Sequence, residues 1–219
     1  MTLPYKEWLD NEYRLWGAAL SSSTVHNFKE HPQVKRMLGE IDWPKEFRVP
    51  LDLYDLDLIH KIDSIGWINP PKFIPGACWR MIYYAQQVLK RNPLSIVEIG
   101  GGVGEFYAIL RALGYQGEYF IMDFTEVMMF QQKYLQEVEK QTGLQLPQNL
   151  NMEFCVSFYA LGEFDDELKK YYIDRVVSQC LHGFILWNPH SGASLEIPFR
   201  CEIKDEYPML NPDCKQLEW

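Results

Sequence analysis

Four glycines wedged between a strand pattern and a helix pattern constrain this chain more than anything else in it. Ser95-Ile-Val-Glu-Ile99 is a short, largely β-branched run that reads as a buried strand, and Gly100-Gly101-Gly102-Val-Gly104 follows without a gap. Phe106, Ile109, Leu110 and Leu113 then recur at helical spacing until Gly114 ends the helix. The alternation continues. Glu118-Tyr-Phe-Ile-Met-Asp123 reads as a second strand, and Thr125 is placed to cap a helix with Val127, Phe130, Tyr134 and Val138 on one face. Glu153 to Tyr159 reads as a strand, Asp165 to Leu181 as a helix with acids in its first turn, and Gly183 to Trp187 as another strand. Strand-like pieces close the chain near residues 196–203 and 215–219. Strands alternating with helices predict an α/β fold with a mostly parallel sheet and helices on both faces.

Before Leu94 the order is different. Residues 1–92 carry helical patterns broken by proline-rich loops, so the chain divides into an N-terminal helical cap, 1–92, and a sheet domain, 93–219. Trp8, Leu9, Tyr13 and Trp16 are spaced for one face of a helix over Tyr5 to Leu20, stopped by Ser21-Ser22-Ser23. The segment from Val49 to His60 is ambiguous between strand and helix start, and a helix is expected over Ala77 to Lys90.

At 47% apolar and 23% charged residues, the composition is that of a folded chain. Its 21 Lys and Arg against 30 Asp and Glu give a net charge of −9, which argues against nucleic acid or an anionic membrane as the main partner. The polar N-terminus and the lack of a long apolar run predict neither a signal peptide nor a membrane span. Five scattered cysteines without C-x-x-C fit reduced thiols and a cytoplasmic location.

Where a strand enters a helix through glycines, a ligand can approach the bare backbone. A dinucleotide fingerprint fails, because Glu105 stands where the third glycine is required, and the Gly-Lys-Ser/Thr of a phosphate loop is absent. A carboxylate at the helix start also disfavours a pyrophosphate, which points to a cationic or neutral ligand.

The pattern that fits is E-x-G-x-G-x-G, and on Glu98, Gly100, Gly102 and Gly104 the chain resembles the class I S-adenosylmethionine (SAM) dependent methyltransferases. The resemblance implies a Rossmann-like sheet and SAM as cofactor, leaving S-adenosylhomocysteine (SAH). It implies that Asp123, at the end of the second strand, holds the ribose diol, with Gly101 and Phe124 beside it in the cofactor site. Ile96 to Phe106, Tyr119 to Val127, and Ser157-Phe-Tyr-Ala-Leu-Gly-Glu-Phe before Tyr171-Tyr172 are similar to the sugar O-methyltransferase family over about residues 77–188. One departure is the short linker Leu144 to Asn151, which leaves the usual third strand and its helix cut short.

The implied reaction needs a base to take a hydroxyl proton during attack on the methyl carbon. His190, directly after the Gly183 to Trp187 strand, is the first candidate for that base, with a surface histidine as the alternative. Glu163 can be the base, an acceptor for a sugar hydroxyl, or a helix-capping acid. His182 precedes its strand and reads as structural. Arg80 and Tyr83 can reach the SAM carboxylate or close the pocket, with a surface or core role as the equal alternative, and Tyr159 can line the methyl-transfer end. Asp123, Glu163, Asn188 and His190 invite a divalent metal, but no tight ligand spacing supports one. Asp55-Leu-Asp57 matches a common D-x-D tripeptide outside the sheet domain. Trp67, Trp79, Tyr159 and Trp187 are candidates for stacking on a sugar or adenine ring. Other acceptors remain open, a small metabolite or a protein side chain, as does a non-catalytic module of a larger glycan-building protein.

Overall fold

A computed structural model describes residues 14–38, 55–67, 76–144, 152–188, 197, 199–207 and 213–219. Helices α1 (Arg14–Ser22), α2 (Pro32–Leu38), α3 (Leu56–Ser64) and α4 (Gly76–Leu89) precede the first strand. Then follow β1 (Ser95–Ile99), α5 (Glu105–Ala112), β2 (Glu118–Met122), α6 (Thr125–Thr142) and β3 (Phe154–Phe158). A short turn α7 (Ala160–Glu163), α8 (Asp166–Arg175), β4 (His182–Trp187), β5 (Glu202–Asp205) and β6 (Lys215–Glu218) complete the described chain.

The sheet has six strands in the order β2-β1-β3-β4-β6-β5. The first four are parallel, from Ser95 opposite Glu118 on one side of β1 and Ile96 opposite Phe154 on the other. β6 runs antiparallel to β4 and pairs with β5 as a hairpin. Every residue of β1 is buried, as expected of a strand covered on both faces. Alternate residues feed two cores. Ile96, Phe154, Val156, Phe184 and Leu186 join α1 to α6 on one face; Val97, Ile99, Cys155, Ile185 and Trp187 join Leu161, Phe164 and Val177 on the other. This is the mostly parallel, doubly wound α/β architecture that the strand–helix alternation predicts.

α6 runs to Thr142 and β3 begins at Phe154, which bears on the shortened third-strand region. Among the described residues β2 is one edge strand and β5 the other; residues 145–151 of the linker lie outside them.

Several local expectations are corrected. The ambiguous segment is helical from Leu56, because the Asp55 carboxylate accepts the Leu58 N–H at 2.9 Å and caps α3, so half of the D-x-D is a helix cap. Thr125 is the first residue of α6 rather than its cap; Phe124 holds that position, and its N–H goes to Asp123. The helix expected to Leu181 ends at Arg175, followed by a 3₁₀ turn at Val177–Gln179. At the end of α1, the Ser22 and Ser23 hydroxyls both donate to the Ala19 carbonyl, which satisfies a last-turn acceptor.

Lys29 ties the segment before β1 to the start of α5. Its side chain is 2% exposed, and its ammonium donates to the Asp63 carbonyl at 3.2 Å and pairs with Glu105 Oε1 at 2.8 Å. Breaking a buried ion pair from one side strands the other charge. Lys29→Ala is expected to lower stability by about 2 kcal/mol, Glu105 being partly solvated, and the shift of the urea unfolding midpoint measures it.

Candidate functional site

β2 and β3 leave β1 on opposite sides, so the space beyond their carboxyl ends is the switch point at which open α/β sheets bind ligands. The glycine loop forms its floor. Gly100 takes φ +74°, and a Cβ there would stand 2.1 Å from Ala160 Cβ, so the loop and α7 approach as closely as they do only without a side chain. Gly102 takes φ +56° with open space where its Cβ would be, and its backbone faces the cleft.

Asp123 braces the loop. Its Oδ2 accepts the Gly102 N–H at 2.7 Å and its Oδ1 the Phe124 N–H at 2.7 Å, while Gln131 Nε2 holds the Gly102 carbonyl at 2.9 Å from α6. Each carboxylate oxygen retains a lone pair for a ligand hydroxyl. The resulting cleft has a cavity volume of about 140 Å³ and is partly open to solvent. Its polar walls are Gly100, Gly102, Asp123 and Glu163; Trp16, Phe124, Val127, Ala160, Phe164 and Tyr172 supply the apolar ones. Among the described residues no lysine, arginine or histidine lines it.

The two acids of the cleft are therefore held without a basic partner on its walls. Burial pushes the Asp123 carboxyl up to about 6, against the Phe124 and Gly102 N–H groups that favour its charged form. Burial pushes Glu163 up to about 7, against the Asn188 amide 3.5 Å away. Beneath the loop, burial pushes Glu98 up to about 8, although the Tyr119 hydroxyl donates to it at 2.8 Å; the Asp123 charge raises it further.

These shifts set a pH dependence. A carboxyl whose folded pKa lies above its unfolded value stabilises the fold fully below the unfolded pKa, and that contribution is lost as pH rises through the folded pKa. With folded values near 6, 7 and 8, the ligand-free chain is expected to melt at lower temperature at pH 8.5 than at pH 5.5. Glu98→Gln should flatten the melting temperature above pH 7, where Glu98 is the last of the three to release its proton; differential scanning calorimetry across that range checks it.

Of the residues singled out in the sequence, the structure brings Gly100, Gly102, Asp123, Phe124 and Glu163 onto one cleft. Glu98 lies under the loop, with its Oε2 2.6 Å from where a Gly101 Cβ would be, and Gly104 packs on Leu135 as the left-handed N-cap of α5. Arg80 and Tyr159 are drawn elsewhere: Arg80 Nη2 pairs with Glu206 Oε1 at 2.7 Å, and the Tyr159 hydroxyl bonds to both. Tyr83 stacks edge-on with Tyr84 and Tyr207. None of these three lines the cleft. His190 and the side chain of Trp79 lie outside the described residues. Trp67 and Trp187 face the ammonium groups of Lys29 and Lys169, at 5.8 and 5.1 Å from the ring centres, and do not line the cleft. His60 and His182 are exposed, the latter at the amino end of its strand. Lys29 neutralises Glu105, whose charge therefore opposes a phosphate at the helix start less than the sequence alone implies. Among the described residues no three His, Cys, Asp or Glu side chains converge to hold a metal. No helix there is long and apolar enough to cross a membrane.

Sequence reasoning missed Trp16, Val127, Ala160, Phe164 and Tyr172 as lining residues. They carry no signal beyond ordinary apolar patterning, and the packing of α1, α6, α7 and α8 around the strand ends turns them inward.

No family model and no curated protein matches the sequence. Among solved structures, a SAM-dependent methyltransferase from Aquifex aeolicus is similar over 75% of this chain and 97% of its own, at 13% identity and a TM-score of 0.45. The mitomycin 7-O-methyltransferase aligns with 96% of this chain and 67% of its own at 11% identity and a TM-score of 0.42. Coclaurine N-methyltransferase, bound to N-methylheliamine and SAH, aligns with 84% and 58% at 11% identity and a TM-score of 0.36. With all three scores below 0.5, the reading of the cleft rests on this chain's own residues.

Proposed function

We propose that this chain is a SAM-dependent methyltransferase that methylates a sugar hydroxyl. The observation that carries the cofactor is the cleft itself: two carboxylates, bare glycine backbone and aromatic walls at the strand switch point, with no cationic side chain on the described lining. A dinucleotide or nucleoside triphosphate would bring two or more negative charges into that field. SAM brings a sulfonium, an ammonium and one carboxylate, for a net positive charge, together with a vicinal diol.

The residues fit that group. Asp123 has a free lone pair on each oxygen for the two ribose hydroxyls, and Gly102 leaves the space a side chain would fill. Phe124, Trp16, Phe164 and Tyr172 place aromatic rings on the walls, suited to the adenine and to a cation. When bound, the sulfonium supplies an electrophilic methyl carbon. Glu163 takes the acceptor's proton: with a pKa near 7 it is about half ionised at neutral pH, and it is close to the optimum for a general base. The apolar walls exclude water from the transfer.

The sugar acceptor is supported by the resemblance over residues 77–188 and by a cleft and a net charge of −9 that suit an uncharged polyol better than a phosphorylated one. Paired carboxylates with aromatic rings also suit an alkylammonium, so an amine is the second reading.

Calorimetry with SAM and SAH tests the cofactor first; micromolar binding is expected, and no heat at high micromolar ligand would remove the assignment. A screen of hexoses, deoxyhexoses and small amines then separates the acceptors. Glu163→Gln is expected to lower kcat ~10²-fold while the SAM Kd stays within a few-fold. An unchanged rate, with a loss on His190→Ala instead, would move the base to His190.

A further inference from the structure

Tyr159 is one of two non-glycine residues described with positive φ, at +68°, a conformation that costs a bulky side chain of order 1–2 kcal/mol. Such a conformation persists only where the surroundings over-determine it. Here they do. Arg80 Nη2 donates to the Tyr159 hydroxyl, which in turn donates to Glu206 Oε1. Arg80 and Glu206 pair directly at 2.7 Å with side chains 8% and 0% exposed, and the Tyr84 hydroxyl adds a bond to Glu206 Oε1 at 3.1 Å. The Arg80 guanidinium also lies 5.2 Å from the centre of the Tyr159 ring. On the backbone side, the Tyr159 N–H donates to the Leu186 carbonyl at 2.9 Å.

What this clamp fixes is the start of α7. Ala160 follows immediately, abuts Gly100 and lines the cleft; Gly162 donates its N–H to the Tyr159 carbonyl at 2.8 Å; and Glu163, one residue on, reaches the cleft. Gly162 must lack a side chain, since a Cβ there would meet Asn188 Oδ1 at 2.3 Å. The α7 turn is thus docked on β4 and launched from a residue whose conformation is held by side chains of α4 and the segment after β5.

We propose that Tyr159, clamped by Arg80 and Glu206, is a positioning residue that sets where Glu163 stands in the cleft. It acts through Glu163 and touches neither cofactor nor acceptor. Its kinetic consequence rests on the methyltransferase reading; its geometric consequence does not. The clamp also links α4, in the N-terminal segment, to the carboxylate that the reaction uses, because Arg80 and Tyr84 both reach Glu206.

Tyr159→Phe tests both consequences, since it keeps the ring and removes only the hydroxyl. In a crystal structure of the ligand-free variant, residue 159 is expected to relax from φ +68° or the 160–163 turn to shift by roughly 1 Å, enough to misplace a catalytic group. An unmoved turn overturns the proposal whether or not SAM binds. In kinetics, kcat is expected to fall ~10-fold or more with KM for SAM within about 2-fold, and the same substitution on a Glu163→Gln background should cause no further fall. A full additional fall on that background shows that Tyr159 acts independently of Glu163 and overturns the proposal. If the wild-type chain gives no heat with SAM, the methyltransferase reading fails and the crystal structure alone decides the positioning role. Should Tyr159→Phe not fold, Glu206→Gln carries the same readouts, because it leaves the hydroxyl a weaker, neutral acceptor.

Discussion

Asp123→Ala is expected to weaken SAM binding by at least ~10²-fold, the largest loss from any single side chain of the cleft. The carboxylate acts twice. It accepts the N–H groups of Gly102 and Phe124, both at 2.7 Å, and so holds the glycine loop against the end of β2; under the proposed function its remaining lone pairs would receive the ribose diol. Hydrogen bonds to a charged acceptor are worth about 1.5–3 kcal/mol each, and a factor of 10² in affinity is about 2.7 kcal/mol, so losing the ligand contacts alone reaches that size. Freeing the loop adds to it. Asp123→Asn should be nearly as damaging, because one of the two backbone donors would then face an amide N–H rather than an oxygen. Calorimetric titration of both variants measures the loss, and a Kd within a few-fold of wild type would remove Asp123 from the ribose role. The loss should also grow between pH 5 and pH 8 in the wild-type comparison, since Asp123, with its pKa near 6, accepts fully only when ionised.

Gly100→Ala is expected to destabilise the fold by about 2–4 kcal/mol, a large share of the roughly 5–15 kcal/mol that a domain of this kind holds. Two costs combine. The φ of +74° is disfavoured for any L side chain, and the new methyl would stand 2.1 Å from Ala160 Cβ, so either the loop or α7 must yield. The costs separate in a double variant. Adding Ala160→Gly removes the clash and leaves the backbone strain, so the pair should recover about half of the lost stability, read from urea unfolding midpoints. No recovery would mean that the contact between the loop and α7 does not limit the approach. Because Ala160 and Gly100 both line the cleft, Gly100→Ala should weaken SAM binding even under conditions where it remains folded.

Much of the architecture was legible because it is written locally. Period-two and period-3.6 patterns, with glycine at the positions that need left-handed backbone, mark β1, α5, β2, α6, β3 and β4 to within a few residues. Where local signals compete, tertiary packing decides. Val49 to His60 alternates like a strand, yet the Asp55 cap and the burial of Ile59 and Ile62 make its end helical. The helix after Asp165 carries helical spacing past Arg175, but packing of Val177 and Cys180 under β4 tightens it into a 3₁₀ turn.

The cleft divides the same way. The E-x-G-x-G-x-G spacing and an acid at the end of the next strand bring Gly100, Gly102 and Asp123 together, because both lie within one βαβ unit of neighbouring strands. Local pattern alone was therefore enough to pair them. Trp16 reaches the cleft from a helix more than eighty residues away, Arg80 finds Glu206 across the chain, and Lys29 neutralises Glu105; no periodicity encodes such partners. The order of strands and helices and the glycine loop after β1 depend on residues a few positions apart, so the amino-acid order carries them unaided. Packing between distant segments settles which aromatic rings wall the cleft and leaves its acids without a basic partner on the described lining. It alone also decided that Tyr159 is bound in a clamp, because these follow from how distant side chains share one limited buried space.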